Sequence, residues 1–249
     1  AVPMIVLVAL IIIFGFARGE RFFSAYTLTL IMQQVAVVGI LAAAQTLVIL
    51  TAGIDLSIGV LMVFAFVIMG NFVLAYEMPA MVAILAGFLI AGGGGALNGY
   101  LVSRLKLPPF IVTLGTWNII MAICLIYSEN ATLREADLTA QTQWLHVFGI
   151  SLDGTAGRYL FALSTTALIT LFVHRLVISP IGANLIAVRD NETAARVIGV
   201  PVLRTKLAVF ALSSAIIGVI SSLTATGGAA LVVAYLVKRG IVIHRAIGS

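Results

Sequence analysis

Apolar stretches of about 20 residues recur along this chain, separated by short polar breaks, and that spacing constrains the fold more than any other feature. About 20 residues is what an α-helix needs to cross a hydrocarbon core of ~30 Å. Soluble cores are built from shorter runs, and transmembrane β-barrels from alternating segments of about ten residues. Of 249 residues, 62% are hydrophobic and only 9% charged. A soluble domain carries roughly a quarter charged residues. The expected fold is therefore all-α: a polytopic transmembrane helical bundle forming one domain over residues 1–249.

The pattern gives about seven spans, near residues 3–17, 28–50, 57–76, 79–103, 110–127, 158–178 and 205–226. The first lacks a basic leader and a clean cleavage site, so it reads as a span rather than a signal peptide. The break Thr51 to Ser57, a tight turn at Glu77 to Pro79 and the link Arg104 to Pro109 are too short to hold a soluble domain. Pro108-Pro109 stops that link and starts the next helix.

The net charge of +5 forms no basic stripe, which argues against nucleic acid as a partner. It reads better as sidedness. Arg104, Lys106, Arg175, Arg189, Arg196, Arg204 and Lys206 fall on one set of loops; Arg18, Arg21, Arg134 and Arg158 fall on the other, beside most of the acids. Cationic loops stay cytoplasmic. The N-terminus is thus expected inside, the segment 128–157 on the outer side and the loop 179–204 in the cytoplasm. The outer segment suits a short interfacial helix or, alternatively, a rim on which a soluble partner docks.

Within the apolar runs, few residues bear chemistry. Asp55, in Gly53-Ile-Asp-Leu-Ser-Ile-Gly59, is a carboxylate at or within the membrane edge, where it must face a cavity, a partner or the bundle interior. Gly53 can end one helix in a left-handed cap, and Asp55 or Ser57 can cap the next. Lining a translocation path is the functional alternative, compatible with the first because discontinuous helices build transport sites. Gly92 to Gly95, followed by Asn98-Gly99, reads as a surface for close helix approach. It is no phosphate cradle, since no Gly-Lys-Ser/Thr follows. Cys124 reads as a small packing residue, and His146, His174 and His244 form no constellation. The pattern therefore offers no catalytic residues and no metal site.

In the loop 179–204, residues 191–198 suit a short helix. Asn191 is an apt N-cap, Glu192 places a negative charge at the N-terminus, and Gly199 and Pro201 end it. Docking element and simple connector remain equal readings of that pattern.

Three motifs then reach a family. Gln45-Thr-Leu-Val-Ile-Leu-Thr-Ala-Gly-Ile-Asp-Leu-Ser-Ile-Gly59, Leu97-Asn-Gly-Tyr-Leu-Val-Ser-Arg-Leu-Lys-Leu-Pro-Pro-Phe-Ile-Val-Thr-Leu-Gly-Thr116 and Glu192-Thr-Ala-Ala-Arg-Val-Ile-Gly199 occur in this order. Together they resemble the permease subunit of bacterial ABC sugar importers of the ribose and xylose type, with Leu107 to Trp117 nearest to the fructose-importing branch. The resemblance covers the chain to about Thr226. It implies a non-enzymatic permease in the bacterial inner (plasma) membrane with no cofactor of its own, since ATP is bound by partner ATPase subunits. The other implied partners are a periplasmic sugar-binding protein, a second permease copy or homologue, and the lipid bilayer.

The resemblance also implies that Asn191, Glu192, Ala194, Ala195, Arg196 and Gly199 form the element that couples to the ATPase. Asp55, Ser57 and Asn98 are then expected along the substrate path. Two departures stand out. Gly182-Ala183 and Ala187-Val-Arg189 shift a cation and lose a turn glycine, and the segment 227–249 is atypical, so the chain resembles a C-terminally truncated ten-helix permease. The alternatives are a non-transporting remnant and an intramembrane enzyme using Asp55.

Overall fold

The computed structural model describes residues 2–128 and 155–218, and every element among them is helical. In chain order these are α1 (Val2–Arg18), a 3-10 turn (Gly19–Arg21), α2 (Ala25–Ile49), α3 (Ile58–Leu74), α4 (Ala80–Arg104) and α5 (Pro109–Tyr127). After them come α6 (Thr155–Val177), α7 (Pro180–Asp190), α8 (Glu192–Val197) and α9 (Val202–Ile216). The expectations for most of the segment 128–157 and for the tail 227–249 lie outside the described residues.

The chain is a polytopic helical membrane protein, but the span count differs from expectation. Among the described residues, Val2–Arg21, Ala25–Ile49, Met81–Arg104 and Pro109–Tyr127 are long and apolar enough to cross a membrane. A fifth is possible if Leu163–Val177 and Pro180–Asp190, bent by 70°, act as one span. The other expected spans are present as helices but are shorter. Helix α3 has 17 residues, about 26 Å at 1.5 Å per residue, and ends at Leu74, ahead of the turn at Glu77 to Pro79. Helix α9 has 15.

The loop 179–204 also differs: it is largely helical. Ser179 caps α7 by accepting the Ile181 N–H at 3.2 Å, and Pro180 follows at the first helical position. Gly182 comes so close to the Val177 carbonyl that no Cβ would fit, which permits the bend. Ala187 lies inside α7, so no glycine turn is needed there.

The tightest pairing among the described residues is α4 with α9. The glycine run serves it directly. A Cβ on Gly95 would collide with the Phe210 carbonyl and Ser214, and one on Gly99 would sit 2.7 Å from the Leu207 Cα. On another face of α4, Gly94 receives Leu61 of α3. Gly93 meets nothing. Elsewhere, α2 packs on α6, where the Thr166 hydroxyl donates to the Ala36 carbonyl at 3.1 Å and Gly39 leaves room for the Thr166 methyl. The main core gathers Ile40, Leu47, Val48, Leu185 and Phe210 from α2, α7 and α9. Helix α1 stands apart. It buries no residue, and its ring contact is Phe14 on Phe22 of the following turn.

This geometry sorts the glycines. Gly95→Ala should cost about 1–3 kcal/mol through forced separation of α4 and α9. Gly93→Ala should stay within about 1 kcal/mol of the parent. Denaturation of the purified variants in detergent micelles distinguishes the two, and equal costs would contradict the assignment of the α4 face.

Candidate functional site

The break between α2 and α3 begins with a Schellman turn. The Gly53 N–H donates to the Val48 carbonyl at 3.1 Å and the Ala52 N–H to that of Ile49 at 3.0 Å. The left-handed residue is Ala52 (φ 56°), not Gly53 as expected. Gly53 is required for space instead: a Cβ there would lie 2.8 Å from Val48 Cγ1 and 3.2 Å from the Phe210 ring.

Extended backbone then delivers Asp55 into the bundle, where it is 3% exposed. Its Oδ1 accepts both the Ser57 N–H at 2.8 Å and the Ser57 hydroxyl at 2.7 Å. Asp55 thus serves the start of α3, as one reading of the sequence held. Ser57 does not cap with its side chain; it passes the contact on. Asn98 of α4 donates from Nδ2 to Ser57 Oγ at 2.7 Å, and its Oδ1 receives the Thr116 hydroxyl of α5 at 2.6 Å. Thr113, one turn earlier on α5, lies 3.2 Å from the Ile54 carbonyl, which it shares with that of Pro109 at 2.9 Å.

Asp55, Ser57 and Asn98, singled out separately in the sequence, therefore form one buried relay that Thr116 extends to α5. Ser57, Asn98 and Thr113 have no solvent exposure at all. Buried polar groups of this kind fix helix positions because an unmade bond is expensive. Asp55 Oδ2 is also buried and accepts no hydrogen bond from the described residues. It is a strong acceptor without a partner among the described residues. Thr113 and Thr116 were not anticipated. The signal was Thr-x-x-Thr on one face of an otherwise apolar helix.

At the other end of α9 lies α8, nearly as expected. Asn191 Oδ1 accepts the N–H groups of Thr193 and Ala194 at 2.9 and 3.0 Å. Gly199 (φ +90°) closes the helix, with the Val200 N–H on the Ala195 carbonyl at 2.9 Å. The six residues proposed for coupling divide by role. Asn191 caps and Gly199 turns. Ala195 packs inward with Val188, Val200 and Val202, and Glu192 pairs with Lys206 of α9 and, at 3.6 Å, with Arg196. Only Ala194 and Arg196 present open surface beyond the cap and the turn. Next to them Val197 and Ile198, at 83% and 71% exposure, form an apolar tip that the sequence reading passed over. Two apolar residues after Arg196 in a polar loop were the available signal.

A family model described as the branched-chain amino acid transport system / permease component matches residues 27–240. The chain belongs to this permease family. Among its relatives, the fructose import permease of Rhizobium meliloti is 44% identical over 92% of this chain and 66% of its own length. The D-allose transport permease of Escherichia coli K12 is 30% identical over 90% and 67%, and the ribose import permease of Haemophilus influenzae 30% over 88% and 66%. The chain thus spans about two thirds of the length of the curated relatives it matches. No solved structure matches it. Membership agrees with the three-motif resemblance to ABC sugar-importer permeases, a family of transporters rather than enzymes.

The relay makes a coupling prediction. Ser57→Ala and Asn98→Ala should each cost about 1–3 kcal/mol, and the double variant should cost less than their sum by about 1 kcal/mol. Detergent denaturation of the four proteins checks this. Strict additivity would mean that Ser57 and Asn98 do not share a bond.

Proposed function

We propose that this chain is a transmembrane permease subunit of an ATP-driven ABC importer for a monosaccharide of the fructose, ribose or xylose class. It sits in the bacterial inner membrane with its N-terminus in the cytoplasm. Partner ATPase subunits bind and hydrolyse ATP, a periplasmic binding protein delivers the sugar, and a second permease copy or homologue completes the pathway. The chain needs no cofactor of its own.

The observation that carries this reading is α8. It is a capped helix between membrane-embedded elements, fixed at its base by an ion pair and an apolar cluster, that presents Val197 and Ile198 to the exterior. Outside the bilayer such an apolar tip on a rigid base is a docking surface. Sugar as cargo rests on the fructose, allose and ribose permeases among the relatives and on chemistry. A monosaccharide is rich in hydroxyl donors, and Asp55 Oδ2 is an acceptor without a partner among the described residues at a helix break, the kind of place where transporters bind substrate. In this reading Asp55, Ser57 and Asn98 border the path, and alternating access opens the break so that Oδ2 meets the sugar.

Uptake of radiolabelled fructose or ribose tests this in cells lacking every other route, supplied with the chain together with its cognate ATPase and binding protein. Uptake should depend on all the components. Asp55→Asn should lower it about tenfold or more, as loss of a hydrogen bond to a charged group implies. No uptake with every partner present would contradict the proposal. If instead Asp55→Asn abolished turnover of a lipid or peptide by the chain alone, the intramembrane-enzyme alternative would stand.

A further inference from the structure

Between α8 and the helix break runs α9, and its first three turns touch both. Lys206 is only 8% exposed, an unusual place for an ammonium group, and its Nζ is paired with Glu192 at the start of α8. The Lys206 carbonyl lies 3.2 Å from where a Gly99 Cβ would be, so its backbone rests on α4 beside Asn98. One turn on, Phe210 is fully buried. Its ring lies against Gly53 in the break, and its Cβ against Gly99. Substitution room is lacking at both glycines, so neither contact has slack to absorb a displacement. Packed interiors of this kind transmit shifts rather than damp them.

We infer that Lys206 and Phe210 are positioning residues that tie the Glu192 end of α8 to the 50–57 break, so that movement of α8 resets the Asp55–Ser57–Asn98 relay. The tie has two arms. One runs from Glu192 through Lys206 to Gly99, adjacent in sequence to Asn98. The other runs from the next turn of α9 through the Phe210 ring to Gly53, two residues before Asp55. The purpose of the tie rests on the importer reading, but its physical existence does not.

Hydrogen exchange of the chain in detergent micelles, read by mass spectrometry, tests it without any transport. The polar partners of Glu192 are Arg196 and Lys206, both outside the break, so a purely local role predicts no effect there. Glu192→Gln and Lys206→Met should each accelerate exchange of residues 51–57 by about tenfold, with the increase confined to that segment and to 192–210. Reversing the pair, Glu192→Lys with Lys206→Glu, should return the break to within about threefold of the parent. Arg196→Gln, which removes the solvent-side partner of Glu192, should leave the break unchanged. The inference is overturned if 192–206 loosens while 51–57 does not, if exchange rises equally in α5, or if the reversed pair fails to restore the break. In the assembled importer the same single variants should lower the sugar moved per ATP hydrolysed. An absence of transport by the parent complex would count against the importer reading alone and leave the exchange result intact.

Discussion

The structure depends on the close approach of α4 and α9 over a face that has no side chains. Gly95 and Gly99 let the backbone of α9 rest on α4, and without that contact neither Phe210 nor Lys206 would reach its position. In a membrane there is no hydrophobic force to draw helices together, since lipid is as apolar as leucine. Association rests on dispersion contacts and interhelical hydrogen bonds, both of which need short distances. The glycine seam supplies those distances. It also sets Asn98, between the two glycines, at the depth where Ser57 and Thr116 lie within hydrogen-bond range.

From this seam the two features of functional interest follow as opposite ends of one assembly. Toward the break, Phe210 fills the space that Gly53 leaves, and Asp55 is held by Ser57. Toward the loop side, Lys206 holds Glu192, and α8 is braced by Val188, Ala195, Val200 and Val202. A half-exposed ion pair contributes little stability by itself, because solvent screens it. Its value here is in geometry, since with the cap and the apolar cluster it fixes how a six-residue helix sits on α9.

Much of this was legible in the sequence, and the reasons are local. Apolar run length located α1 to α6 within a few residues, and the start of α9 likewise. Asn191 and Gly199 announced both ends of α8, because capping depends on residues within one turn. Helix α7 was hidden because Ser179-Pro180, a good start signal, sat in a polar stretch that read as loop. Gly53 was correctly singled out but for the wrong reason: in sequence a glycine after a helix suggests a positive φ, whereas here Ala52 takes that conformation and Gly53 makes room for a ring 157 residues away. The Ser57–Asn98 bond, spanning 41 residues, and the Glu192–Lys206 pair had no sequence signature, since both are set by how helices pack.

The most direct measurement of the central claim, that α8 seats an ATPase, is thiol cross-linking in the assembled complex. Val197→Cys or Ile198→Cys would be paired with single cysteines distributed over the surface of the cognate ATPase subunit. The native Cys124 is buried and should not interfere. The account predicts efficient cross-links from positions 197 and 198 and none from Ala195→Cys, which faces the cluster around Val188. Cross-links from 195 but not from the exposed tip, or no cross-link from either while the ATPase co-purifies, would contradict it.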